Sequence, residues 1–110
     1  MSTQFVEGLR KRVIQNFMDI FILTEMEKGL LSGYDVIGLI HQKFGILLSS
    51  GTVYSLLYSM ERDGMLKGVW NSRKRVYGLT EKGEQNIKAI TKANKEVQDF
   101  LKRLSLLNTT

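Results

Sequence analysis

The sequence predicts a mainly α-helical chain with one small β-hairpin, in the order helix, helix, helix, hairpin, long helix. Three observations predict it. Apolar residues recur at steps of three and four in four separate segments, the period of an amphipathic helix. A single stretch, residues 66–79, places strand-favouring residues on both sides of an Asn-Ser turn signal. Glycine alone punctuates the segments, since the 110 residues hold ten glycines and no proline.

The first helix is expected over about residues 7–28. Leu9, Val13, Phe17, Ile20 and Thr24 make its stripe, Ile14 and Phe21 widen it, and Gly29 stops it. Its middle, residues 17–23, is apolar on nearly all sides, which implies a second covering surface, such as another subunit. In the next helix Ser32 with Asp35 three positions on resembles a capping box. Val36, Ile37, Ile40 and Phe44 point inward, and Gly45 ends the helix.

The third helix, residues 50–63, has Ser49 and Ser50 available as N-cap. Val53, Leu56, Leu57 and Met60 form its buried stripe, Tyr54, Ser55, Tyr58 and Arg62 face away, and Gly64 closes it. Large aromatics on a face turned from the core are the informative feature. Two extended runs, 66–70 and 76–79, then flank a tip of Asn71, Ser72, Arg73, Lys74 and Arg75. The last helix starts with Thr80 as N-cap and Glu81 at its positive end, and runs to about residue 107. Ile90, Val97 and Leu104 interleave with Ala93, Phe100 and Leu107 as the a and d positions of a heptad. So short a seam needs a partner.

Composition narrows the function. The length fits one domain, and 43% hydrophobic with 25% charged residues is ordinary for a soluble globular chain. The absence of cysteine excludes a disulfide scaffold, a thiolate metal site and a cysteine nucleophile. The most apolar run is interrupted by Asp19 and is far short of the roughly 20 residues that span a bilayer. With no signal pattern at the N-terminus, a cytoplasmic, nucleoid-associated protein without membrane contact is expected. The lone His41 has no second ligand at metal spacing, the carboxylates do not pair for acid–base work, and no glycine-rich phosphate loop occurs. No enzyme, metal or cofactor is expected. Trp70 reads as packing, and Met18, Met26, Met60 and Met65 read as core filler.

The formal net charge of +5 is unevenly spread. Residues 65–79 carry Lys67, Arg73, Lys74 and Arg75 and no acid. A solvated loop is the plain reading of the 73–75 run. A phosphate-contacting element is the better one, because the run follows a helix with an outward polar-aromatic face.

The element order is that of a winged helix-turn-helix with a long C-terminal dimerisation helix. Specific residues narrow it further. Ser32-Gly33-Tyr34-Asp35-Val36-Ile37 resembles the small-Gly-Tyr-acidic-apolar-Ile opening of the second helix in the PadR family of transcriptional regulators. Ser50-Gly51-Thr52-Val53-Tyr54-Ser55-Leu56-Leu57 resembles that family's Ser-x-Gly-Thr-Leu-Tyr-Pro-Leu-Leu signature, matched from either Ser49 or Ser50, with Val53 and Ser55 in place of Leu and Pro. Glu61-Arg62-Asp63-Gly64-Met65-Leu66 is similar to its Leu-Glu-x-x-Gly-Leu-Ile helix end, and Arg75-Val76-Tyr77-Gly78-Leu79-Thr80-Glu81-Lys82-Gly83 to its Arg-x-Tyr-x-Leu-Thr-x-x-Gly segment. The single C-terminal helix is similar to the family's short subclass.

The resemblance implies a homodimeric regulator that binds double-stranded DNA. The expected division is a DNA-binding domain over 1–83 and a dimerisation helix over 84–110. Helix 50–63 would enter the major groove, and wing 71–75 would hold the backbone or reach the minor groove. Ser50, Thr52, Ser55 and Tyr58 are candidates for base or phosphate contacts, and Arg73, Lys74 and Arg75 for backbone contacts. Tyr54 is open between direct readout and packing on the wing with its hydroxyl at a phosphate. Tyr34 is open between a phosphate contact and a partly buried core position. Ile90, Ala93, Val97, Phe100, Leu104 and Leu107 are expected to pair with their copies and with Phe17 and Phe21. The sequence indicates no small-molecule effector, without excluding one. The competing reading is a winged-helix module that binds protein and not DNA.

Overall fold

A computed structural model describes residues 3–104. The chain order is α1 (Thr3–Met26), β1 (Leu31–Ser32), α2 (Gly33–Phe44), α3 (Ser50–Arg62), β2 (Leu66–Asn71), β3 (Lys74–Leu79) and α4 (Glu81–Arg103). The strands make one antiparallel sheet in the order β1-β3-β2. Among the described residues no helix is long and apolar enough to cross a membrane.

Local chemistry sets the helix ends. Ser32 Oγ accepts the Asp35 N–H at 3.1 Å while Asp35 Oδ2 accepts the Ser32 N–H at 2.9 Å, so the capping box is complete. Gly45, at φ 68°, closes α2 by donating its N–H to the His41 carbonyl. Ser49 caps α3, accepting the Thr52 N–H at 3.2 Å. Thr80 caps α4 through the Gly83 N–H at 3.1 Å and donates its own hydroxyl to the Gly64 carbonyl at 2.6 Å. The Thr80 amide also donates to the Met65 carbonyl, so the end of α3 and the start of α4 are stitched together. A Cβ at Gly83 would collide with that same Met65 carbonyl. Glycine is therefore required three residues after the cap.

The core gathers Met18, Ile22, Leu23 and Met26 from α1 with Val36 and Ile40 from α2. Ile46 and Leu48 between α2 and α3, Val53, Leu57 and Met60 of α3, Leu66 of β2, Tyr77 of β3 and Ile87 of α4 complete it. Met18, Met26 and Met60 are core filler, as expected, and Met65 packs at its edge. The buried face of α1 differs from the expected stripe. Leu9, Val13 and Phe17 are exposed, and the face one position further round is enclosed. A helix with two apolar faces satisfies the periodicity either way, and only the neighbouring elements choose between them. The clamp between α1 and α2 is ionic. Glu25, buried on α1, accepts Lys43 at 2.7 Å and Lys28 at 3.0 Å, and these hydrogen bonds, Lys43 first, hold its carboxyl below the ordinary 4.5.

Two findings modify the expected hairpin. β1 adds a third strand, pairing Leu31 with Tyr77 and Ser32 with Val76. Two residues are too few to show strand periodicity. The tip is also tighter than residues 71–75. Asn71 pairs with Lys74, leaving only Ser72 and Arg73 in the turn, with Ser72 at φ 59°. Lys74 and Arg75 thus belong to a strand and not to the turn. The whole is a winged helix carrying a long C-terminal helix.

Candidate nucleic-acid interface

The strands that close the fold also shape its most distinctive surface. A groove of about 480 Å³ opens between the start of α2, the outer face of α3 and the hairpin. Tyr34, Tyr54, Tyr58 and Trp70 wall it, Arg73, Lys74 and Arg75 supply cations, and Tyr77 forms part of its lining. Six of the nine residues expected to meet DNA are therefore brought together. Ser50, Thr52 and Ser55 lie elsewhere along α3, exposed to solvent. Thr52 and Ser55 border a shallow depression with Gly51 and Ser59. The Thr52 hydroxyl is engaged locally, 2.8 Å from Ser49 Oγ.

Each aromatic has a specific support. Tyr34 projects from the first turn of α2 and is 78% exposed, which excludes the core alternative for it. Tyr54 is partly buried and packs on the core. Its ring lies directly over Gly33, where any Cβ would collide with it. The Gly-Tyr pair thus does two jobs: Gly33 clears space for the ring of α3, and Tyr34 reaches out beside it. Tyr58, exposed, sits with its ring centroid 6.2 Å from that of Tyr54. Trp70 is 68% exposed and not core packing, the opposite of the sequence reading. It lies on the edge strand β2, where the Arg75 guanidinium stands 5.8 Å from its ring centroid.

The cations are not equivalent. Arg73 is exposed at the turn and makes no ion pair among the described residues. Lys74 lies 3.9 Å from Asp35 in an open pair worth little. Asp35 itself is held below the ordinary 3.8 chiefly by the Ser32 N–H of the capping box. Arg75 is half-buried, bonded to Glu61 at 2.8 Å and positioned over the Tyr77 ring at 5.6 Å. The buried Tyr77 hydroxyl has no hydrogen-bond partner among the described residues, and its burial pushes its pKa up while the Arg75 guanidinium beside it pulls the other way.

A second surface is apolar. On α4, Gly83 and Ile87 are buried, Ile90 and Ala93 half-buried, and Val97, Phe100 and Leu104 exposed. Phe17 on α1 is exposed, whereas Phe21 is partly buried and packs edge-on against Phe44, 5.2 Å between centroids. Leu107 lies outside the described residues. Sequence reasoning missed the partners that hold the groove, Glu61 and Gly68. A glycine inside a strand signals close approach of another group, and Gly68 carried that signal.

A family model described as the transcriptional regulator PadR-like family matches residues 22–89. No curated protein sequence matches the chain. Solved structures agree on the fold. A PadR family transcriptional regulator from Eggerthella lenta superposes with a TM-score of 0.80 at 17% identity, covering 94% of each chain. A transcriptional regulator from Clostridium thermocellum gives 0.73 at 21% identity, covering 84% of this chain and 96% of that one. PadR of Bacillus subtilis, solved in complex with operator DNA, gives 0.57 at 24% identity, covering 66% of this chain and 44% of that one. Every residue lining the groove falls within the span the family model matches, and that span is more than half of the chain, so the chain belongs to the PadR-like family of transcriptional regulators.

Proposed function

We propose that the protein is a homodimeric transcriptional regulator that binds a pseudo-palindromic operator, with repression by occupancy as its mode. The observation that carries this reading is the convergence of Tyr34, Tyr58, Arg73 and Lys74 on one groove beside the exposed hydroxyls of α3. Phosphates attract that set: two cations beside phenolic donors, in a hairpin region without a carboxylate. The first turn of α3, with Ser50 and Thr52, would face the base edges of the major groove while the wing tip holds backbone. Hydroxyls read bases ambiguously, so these contacts position more than they specify. That the B. subtilis regulator was solved with operator DNA supports the same assignment here.

The dimer would form through the exposed stripe of α4, Val97, Phe100 and Leu104, continued by Ile90 and Ala93, against its copy and against Phe17 of α1. Leu107 and Phe21 extend the seam in this proposal. Residues 1–83 then serve as the DNA-binding part and 84–110 as the dimerisation part, although one continuous helix, α4, crosses that boundary. A cytoplasmic, nucleoid-associated location follows from the same reading.

Selection of duplexes from a random pool, followed by footprinting, tests it. Two half-sites about one or two helical turns apart, ~34–36 Å per turn, are expected. Replacing Arg73 and Lys74 together by alanine should lower the slope of log affinity against log salt by ~0.9 for each phosphate left without its cation. An unchanged slope removes the wing tip from the interface. Failure to shift even nonspecific duplex at low salt favours a protein-binding module instead.

A further inference from the structure

The hairpin is fastened to α3 by one carboxylate. Glu61 Oε2 accepts the Gly68 N–H at 3.0 Å and Arg75 Nη2 at 2.8 Å. The two donors come from different strands, β2 and β3, so one oxygen in the last turn of α3 holds both arms of the wing. The sheet register explains how Arg75 reaches it. Gly68 pairs with Tyr77 and Trp70 with Arg75, which places 68, 70, 75 and 77 on one face. The Arg75 side chain lies across the bare Gly68. A Cβ there would sit 2.7 Å from both Nε and Nη2 of Arg75. Trp70 and Tyr77 flank the guanidinium at 5.8 and 5.6 Å. Both partners of the ion pair are about 70% enclosed, with 30% and 28% of their side chains exposed.

We propose that Glu61 is a positioning residue that fixes the angle of the wing relative to α3, and that Arg75 acts through it and not as a DNA contact. This rests on the DNA-binding reading above. A guanidinium drawn to a phosphate would abandon Glu61 as an unpaired, half-buried carboxylate facing the same polyanion. Arg73 makes no ion pair among the described residues and the Lys74–Asp35 pair is long and open at 3.9 Å, so these two are the phosphate ligands. The angle Glu61 sets decides which phosphates those two reach while α3 lies in the groove, and phosphate contacts fix register. Sequence discrimination therefore depends on a residue that touches no nucleotide.

The test compares Glu61→Gln, Arg75→Lys and the double variant on a duplex selected by the wild type and on a random-sequence duplex, across salt. Gly68→Ala displaces Arg75 without changing any charge and serves as the second variant should either single variant melt early. Each is expected to weaken the selected duplex about tenfold, to change the random duplex by less than about twofold, and to leave the salt slope alone. The double variant should lose no more than either single one. Trp70, the only tryptophan, reports wing motion without DNA, and its fluorescence anisotropy should fall in all four variants. Tighter binding by Glu61→Gln, or wild-type behaviour of Arg75→Lys together with a slope lowered by ~0.9 in Arg75→Gln, makes Arg75 a phosphate ligand and overturns the proposal. Unchanged Trp70 anisotropy overturns it as well. A wild type that selects no duplex defeats the DNA reading alone, and Trp70 anisotropy then still decides the lock.

Discussion

The α3–hairpin unit and the outer half of α4 are opposite kinds of surface. In the first, key groups around the groove are held by contacts within the chain, near or distant: Asp35 by Ser32, Tyr54 over Gly33, Arg75 by Glu61. In the second, Val97, Phe100 and Leu104 stand exposed along successive turns. The contrast teaches where each surface gets its order. The groove is preorganised by intramolecular bonds, which lowers the cost of fixing it on a ligand. The α4 stripe is exposed apolar area, and the hydrophobic gain of covering it would drive the proposed dimer.

The largest expected effect breaks the second surface and leaves the first intact. Phe100→Lys with Leu104→Lys should give monomers by light scattering and weaken operator binding by ~100-fold or more, since two linked half-site contacts become one. Retention of both dimer and binding would show that α4 is not the seam. Gly33→Ala strikes the first surface. Its Cβ enters the Tyr54 ring, so overpacking should lower stability by about 1–3 kcal/mol, read as an earlier urea midpoint. Dimerisation should persist, because α4 lies elsewhere.

Acid tests two carboxylates outside α4, on α1 and α2, more gently. Glu25 and Asp35 both have carboxyls held below their ordinary 4.5 and 3.8. Their stabilisation is complete above those values and disappears as pH falls through the lower folded-state values. Urea unfolding followed from pH 6 to pH 3 should show stability falling toward the acid end, with Glu25→Gln removing part of the fall. A pH profile untouched by that change would mean the Glu25 clamp contributes nothing. The smallest effect sharpens the picture of the wing. Ser72→Gly relieves a side chain held at φ 59° and should stabilise the protein by roughly 0.5–1 kcal/mol, visible as a slightly higher Tm.

Local features were legible before the fold. The caps Ser32 and Thr80 and the αL stop at Gly45 depend on backbone groups a few residues away, so sequence alone determines them, whereas for α3 it offered Ser49 and Ser50 and the structure uses Ser49. The amphipathic helices, the hairpin and the concentration of charge in it were equally readable, as was the run of apolar residues along α4. The tertiary structure decided the rest. It chose which apolar face of α1 is buried, added the two-residue β1, shortened the turn to Ser72 and Arg73 and left Trp70 outside. It also divided three consecutive cations into an exposed pair and one claimed by a carboxylate fourteen positions earlier in the chain. The physical reason is range. Capping and periodicity are set within one or two turns of backbone, whereas the choice of face and the pairing of Arg75 with Glu61 exist only after distant segments have packed side by side.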